Sequence, residues 1–337
     1  MHGLHDLSGG DAVLARLQLV AEAALARYAL SPQATVTLLN VSENATYRVD
    51  DPLTGARSVM RVHRLGYHRR AAVRSELEWM TSLREAGAIL APRVITTTDG
   101  EWIVSTDEPG SDEPRMSVMF ELVPGRQPSE DRLVESFEPL GEMTARMHAH
   151  TRCWPLPPGF TRHHWDYEAA FGPAPRWGRW QDAPGVGPAE HAVLRRVDAT
   201  LERRLAAFGK GADRYGLVHT DLRLANLIVD GTTTTVIDFD DSGFSWYLYD
   251  VGGALGFLEN HPDLDAMIEA WVRGYRRILD LPDEDVSVIP TFVLYRRMTL
   301  LAWMGSHPNT DTAAEFGTGF ADETCVAAER YLRSHGT

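Results

Sequence analysis

Val218-His219-Thr220-Asp221-Leu222-Arg223-Leu224-Ala225-Asn226-Leu227-Ile228-Val229, followed by Val236-Ile237-Asp238-Phe239-Asp240-Asp241, is the stretch on which the reading of this chain turns. A short apolar run ends at His219, and a tight polar loop carries Asp221 and Asn226. The runs on either side of the next turn read as a β-hairpin that returns Asp238 beside that loop. A lone Asp or Asn in a loop is usually a turn or capping residue. A carboxylate, an amide and a second carboxylate gathered in this way offer more. They supply an acceptor for a hydroxyl proton and hard oxygen ligands for a cation bridging phosphates, which is what phosphoryl transfer requires.

Working outward, the upstream third is rich in strands. An amphipathic helix is predicted from Asp11 to Tyr28, with Val13, Leu17, Val20, Ala24 and Leu25 at helical spacing. Strands follow at Thr35–Val41, Thr46–Val49 and Ser58–Val62, then a helix over Arg70–Ala86 and strands at Trp102–Ser105 and Met116–Glu121. Val123-Pro124-Gly125 stops the sheet. Beyond it, helices are predicted at Leu133–His150 and Ala189–Phe208 and throughout the region after Tyr247, with breaks near Pro262, Pro282 and Pro308. The fold class is therefore α+β: an N-terminal antiparallel-sheet lobe over residues 1–124 and a larger helical C-terminal lobe over residues 125–337.

The chain has 337 residues, enough for two such lobes, and its 33 basic and 47 acidic residues give a formal charge of −14. An acidic surface argues against nucleic acid as a partner. No signal segment opens the chain and no apolar run is long enough to span a membrane, so a cytoplasmic protein is expected. Cys153 and Cys325 lack metal-ligand spacing and are expected to be buried thiols in a reducing compartment. Of the 33 basic residues only Lys210 is lysine.

The interval between Asp221 and Asn226 is that of the kinase catalytic loop. The chain resembles the aminoglycoside phosphotransferase/choline kinase superfamily, homoserine-kinase-like enzymes included. Those enzymes carry a His-x-Asp-Leu-x-x-x-Asn loop, here His219 to Asn226, and an Ile-Asp-Phe-Asp-type metal motif, here Ile237 to Asp240. The resemblance spans roughly Val36 to Leu255 and implies a bilobal protein-kinase-like fold with ATP and Mg2+ as cofactors. It implies Asp221 as catalytic base and Asn226 and Asp238 as metal ligands, with Asp240 as an accessory metal or substrate contact. Arg223 stands where relatives often have histidine, and a substrate contact, a phosphate contact and a surface ion pair are all open to it. His219 is expected to pack and hydrogen-bond so as to hold the loop. Asp250 reads as a helix N-cap, while the resemblance implies that it anchors the loop backbone.

A nucleotide needs a cation held by a carboxylate against its phosphates. In kinases this is a strand lysine paired with a helix glutamate. The matching strand here, Ser58–Arg64, has arginine instead, so Arg61 is the first choice and Arg64 the second, with Glu76 as partner; a guanidinium can grip phosphate oxygens bidentately. No Gly-x-Gly-x-x-Gly loop is present. Ser42 and Asn44, in Val41-Ser42-Glu43-Asn44, resemble the turn that relatives place over the phosphates. The resemblance also implies adenine contacts from the backbone of Glu121 and Val123.

The resemblance implies a small-molecule hydroxyl as acceptor, on an antibiotic such as an aminoglycoside, an amino alcohol such as homoserine, or a nucleoside-type ligand. Candidate contacts are Asp241, Glu259, Asp263, Asp265 and Glu269, with the aromatic stretch His164–Trp180; solvated helix faces and core tryptophans explain most of these better. Two alternatives share the scaffold. A protein Ser/Thr kinase is disfavoured because Asp238 lies only about ten residues before the next helix, with no activation segment. A pseudokinase is disfavoured because the base and both metal ligands are present.

Overall fold

Val13, Leu17, Val20, Ala21 and Ala24 recur every three or four residues, so Gly10–Leu25 forms a helix (α1) with one apolar face. The computed structural model describes residues 10–308 and 310–336; the opening residues, read above as carrying no signal segment, lie outside them. The apolar face of α1 packs on a sheet of six strands: β1 (Thr35–Val41), β2 (Ala45–Asp50), β3 (Arg57–Val62), β4 (Val94–Ile95), β5 (Ile103–Thr106) and β6 (Arg115–Glu121). The order is β1-β2-β3-β6-β4, β5 also pairs with β6, and every pairing is antiparallel.

Side chains alternate across a strand. Met60 and Val62 of β3 join the α1 core with Tyr47, Val49 and Met119, while Arg61 leaves by the opposite face. Helix α2 (Arg70–Glu85) buries Val73, Leu77, Met80 and Leu83, and carries Glu76 among them. The two-residue strand β4 escaped the sequence reading because it is too short to show a period. These elements belong to one compact unit, Met1–Glu85 with Leu90–Pro124 and Pro157–Thr161.

The second unit comprises Ala86–Ile89, Gly125–Leu156 and Arg162–Thr337. Its elements are α3 (Leu133–Cys153), β7 (His163–His164), α4 (Tyr167–Phe171), α5 (Pro188–Phe208), β8 (Tyr215–Val218), β9 (Leu227–Asp230), β10 (Thr233–Val236) and β11 (Gly243–Trp246). They are followed by α6 (Tyr249–Ala254), α7 (Leu264–Tyr275), α8 (Asp283–Val286), α9 (Ile289–Ser306), α10 (Asp311–Phe316) and α11 (Gly319–His335). Strands β9 and β10 form an antiparallel hairpin, and β8 pairs with β11. Gly125, at φ 117°, runs so close to β9 that an added Cβ would lie 2.3 Å from the Val229 carbonyl oxygen. Helix α9 buries nearly its whole surface, including Arg296 and Arg297.

The cysteine expectation needs correction. Cys153, the last residue of α3, is exposed. Cys325 is half-buried on α11, and that burial pushes its thiol up to about 11. Among the described residues, no helix is long and apolar enough to cross a membrane.

Candidate active site

Residues 219–226 bridge β8 and β9, and the backbone of this loop is held from beneath by one carboxylate. Asp250 Oδ1 accepts from the Thr220 N–H at 2.6 Å, and Oδ2 accepts from the His219 N–H at 3.2 Å. Asp250 is not the helix cap, because Leu248 holds that position and makes no side-chain cap bond. The grip serves a strained turn: Thr220 has φ 74°, a left-handed conformation that costs a residue with a Cβ about 1–2 kcal/mol. Gly253 lets α6 approach this turn, since a Cβ there would lie 2.4 Å from the Thr220 carbonyl oxygen. His219 is buried, its Nε2 is 3.2 Å from the Ile237 carbonyl oxygen and its ring lies against Phe239.

Behind Asp250 sits His148 of α3, wholly buried, with Nε2 2.9 Å from Asp250 Oδ2 and Nδ1 3.0 Å from the Tyr275 hydroxyl. The neutral imidazole satisfies both contacts, donating from Nε2 to the carboxylate and accepting the tyrosine hydroxyl at Nδ1. Burial holds this histidine below its ordinary 6.5, against the opposing pull of Asp250. Below pH 6.5 the unfolded chain therefore binds a proton that the folded chain refuses. Stability should fall as pH drops from 6.5 toward the folded-state value. Urea midpoints measured between about pH 7 and about pH 5 should decline for the wild type and less steeply for His148→Asn.

Asp221 lies at the centre of the loop. Its Oδ1 accepts from Arg296 Nη2 at 2.7 Å and from Arg223 Nε at 3.1 Å; its Oδ2 accepts from Asn226 Nδ2 at 3.0 Å. The same amide nitrogen donates to the Asp221 carbonyl oxygen at 2.8 Å. Burial pushes the Asp221 carboxyl up, but the Arg223 and Arg296 guanidiniums outweigh it and hold the group below the ordinary carboxylate range. Arg223 therefore makes an ion pair with Asp221 itself, and its guanidinium lies over Phe257.

Asn226 spends its nitrogen on Asp221, which leaves Oδ1 as the oxygen it can offer to a cation. The Asn226 backbone carbonyl accepts from the Ile237 N–H at 2.9 Å, so the hairpin brings Asp238 next to it in register. Asp238 is exposed and held at φ 62°, whereas Asp240 is buried. Arg162 clamps this turn from inside, donating to the carbonyl oxygens of Ser242 at 2.6 Å, Phe239 at 3.3 Å and Asp240. The Asp241 carbonyl accepts from Trp165 Nε1 at 2.7 Å and Thr220 Oγ1 at 3.1 Å. Among the described residues no group of three or more His, Cys, Asp or Glu side chains is placed to hold a metal ion. An amide oxygen and one exposed carboxylate fit a hard cation that takes its remaining ligands from phosphate and water.

In the sheet unit, Arg61 Nη2 meets Glu76 Oε1 at 2.6 Å, with both side chains buried. Arg64 points elsewhere: Nη1 pairs with Glu43 at 2.8 Å, its guanidinium stacks on Tyr67, and its N–H donates to Asn44 Oδ1 at 3.0 Å. Asn44 thus pins the β1–β2 turn to the end of β3, and Ser42 is exposed on that turn. The Glu121 N–H is used by the Arg93 carbonyl at 2.9 Å and its side chain pairs with Arg93 at 3.2 Å, so only its carbonyl could serve a ligand. Val123 follows the end of β6 in irregular, half-buried backbone.

The acceptor candidates separate clearly. Trp165, Trp177 and Trp180 are buried core residues. Glu259 is buried against Arg297 at 2.9 Å, and burial pushes its carboxyl up despite that partner. Asp263, Asp265 and Glu269 are exposed. The sequence reading missed Arg296, Arg162 and His148. A signal for the first existed: Ile289–Ser306 contains no acidic residue, so two arginines in the middle of an apolar helix must find partners elsewhere in the fold.

The phosphotransferase enzyme family matches residues 35–285. Amicoumacin kinase of Bacillus subtilis (strain 168) is 26% identical over 251 residues, covering 71% of each chain. The structure of a microcompartment-associated aminopropanol kinase superposes with a TM-score of 0.88 at 45% identity, covering 94% of this chain and 98% of the other. An amicoumacin kinase, hAmiN, solved with AMP-PNP, Ca2+ and Ami, shares the fold with a TM-score of 0.78 at 22% identity over 97% of both chains. The sheet unit and the helical unit are thus those of the protein-kinase-like α+β fold, and the chain belongs to the phosphotransferase enzyme family.

Proposed function

We propose that the protein is a cytoplasmic, ATP- and Mg2+-dependent kinase that transfers a phosphoryl group to the hydroxyl of a short amino alcohol. The observation that carries the chemistry is Asp221, a carboxylate kept ionised by two guanidiniums and oriented by Asn226. The choice of acceptor leans on the 45% identity to an aminopropanol kinase along nearly the full length of both chains. In this reading Asp221 accepts the hydrogen bond, and then the proton, of the attacking hydroxyl. Asn226 Oδ1 and Asp238 hold the cation, which when bound neutralises charge on the phosphate oxygens. Arg61, kept in place by Glu76, grips phosphate as lysine does in related sites. Ser42, Asn44 and the backbone of Glu121 and Val123 border the nucleotide, and Asp240, Asp241 and Arg223 border the acceptor.

The test is ADP release from Mg-ATP against aminopropanol, other amino alcohols, homoserine, aminoglycosides and amicoumacin. A saturable rate with the amino alcohols supports the reading. A rate only with an antibiotic would move the acceptor class, and ATP binding without turnover on any acceptor would favour a pseudokinase. Arg61→Met should raise the KM for ATP by about tenfold to a hundredfold, since a charged hydrogen-bond donor contributes about 1.5–3 kcal/mol. Steady-state kinetics at varied ATP checks this, and an unchanged KM would remove Arg61 from the phosphate site.

A further inference from the structure

The base has a partner that lies beyond the segment defining the family. Arg296 sits mid-way along α9, past the matched residues 35–285. It is 3% exposed, and its guanidinium lies 5.4 Å from the Trp177 ring centroid and 5.9 Å from that of Tyr249. Nη2 donates to Asp221 Oδ1 at 2.7 Å and Nη1 to the Tyr249 hydroxyl at 3.3 Å. A charge in an apolar helix is costly unless it is paired, and Asp221 is the carboxylate it meets. Rings packed around a planar fork leave it little freedom to rotate.

Arg223 contacts the same oxygen at 3.1 Å, but its side chain is 32% exposed. Asp221 therefore has two fixed contacts, Arg296 on Oδ1 and Asn226 on Oδ2, and one that solvent can replace. We propose that Arg296 is a positioning residue for the acceptor: it fixes the plane of the Asp221 carboxylate so that the incoming hydroxyl docks on Oδ1, in the place that Arg223 vacates. This rests on Asp221 being the acceptor base.

Arg297 supplies a matched control. It is the next residue of α9 and equally buried, but it pairs with Glu259 at 2.9 Å and Glu323 at 3.2 Å. The experiment compares aminopropanol-dependent ADP release and melting temperature for wild type, Arg296→Met, Arg296→Lys, Arg297→Met, Asp221→Asn and the double variant Arg296→Met/Asp221→Asn. Arg296→Met should lose about 100-fold in kcat, as a misplaced reacting group does, with the KM for ATP unchanged. The double variant should be no slower than Asp221→Asn, because Arg296 acts only through that carboxylate. Arg297→Met should melt lower but keep its kcat.

Wild-type kcat in Arg296→Met, or losses that multiply in the double variant, would overturn the inference. If Arg296→Met does not fold, Arg296→Lys decides. That variant keeps the charge but loses the fork, so a lowered kcat at unchanged KM for ATP supports the inference, and wild-type kcat sinks it. A wild-type enzyme with no acceptor-dependent rate would fail the underlying function, and this inference with it. A dead Asp221→Asn beside an unimpaired Arg296→Met would fail the inference alone.

Discussion

Replacing Asp221 by asparagine is expected to cut acceptor-dependent ADP release by about 10³- to 10⁴-fold while leaving ATP affinity nearly intact. The amide keeps the shape of the carboxylate and can still accept from Arg296 at Oδ1, but its NH2 group replaces Oδ2 and faces the Nδ2 donor of Asn226, so that one contact of the loop is lost. What it loses is the capacity to take a proton, and the negative charge between two guanidiniums. Leaving Arg296 buried opposite a neutral group should also lower the melting temperature, since breaking a buried pair costs about 3–5 kcal/mol. The kinetic and thermal effects are separable, because turnover can be measured well below the melting transition. Asp238→Ala should behave differently and abolish Mg-dependent nucleotide binding along with turnover. Turnover at the wild-type level in Asp221→Asn would remove it from the role of base.

The second large effect is expected at Asp250, a residue that touches none of the reacting groups. Truncation to alanine would leave the N–H groups of His219 and Thr220 buried and unpaired, at about 1–3 kcal/mol each, beside the strained Thr220 turn. The loop should relax out of its left-handed turn, and kcat should fall with stability. Asp250→Asn is the informative companion. Its Oδ1 can still accept from Thr220, but its NH2 group would face the His219 N–H and the Nε2 of His148. His148 can answer one of these by shifting its proton to Nδ1 and accepting at Nε2, so part of the loss should be recovered. Chemical denaturation and single-turnover kinetics on both variants test this. An Asp250→Ala enzyme with wild-type kcat would mean that the loop holds its shape without the anchor.

The fold was legible in this sequence wherever side-chain types repeat at a fixed spacing. The α1 face, the alternation in β3 and the loop from His219 to Asn226 all declare themselves within a dozen residues. Arg61 and Glu76 were found by matching the strand-lysine and helix-glutamate pattern of kinases, and the structure brings them to 2.6 Å. Less legible were groups whose partners are remote or are backbone atoms. Arg296 reaches Asp221 across 75 residues of sequence, and Arg162 holds carbonyl oxygens 77 to 80 residues away. Backbone partners, the carbonyls that Arg162 holds and the N–H groups that Asp250 accepts from, leave no trace in side-chain identity, which is why Arg162 passed unnoticed and why Asp250 could be read as a helix cap. The carboxylates Glu259, Asp263, Asp265 and Glu269 show the reverse: a residue type suited to an amine does not reveal whether it is paired in the core or solvated.

The phosphate-binding role proposed for Arg61 on β3 has a practical consequence for chemical proteomics. Electrophilic nucleotides that acylate the phosphate-binding lysine of kinases need an amine at that position, and a guanidinium does not supply one. The only side-chain amine in this chain is Lys210, which is paired with Asp166 at 2.6 Å and lies near the rings of Tyr215 and Trp246 in the helical unit. A probe-based survey of a cell extract would pass over this protein even when it is abundant and active, and any label it did take should map to Lys210 and survive competition by ATP.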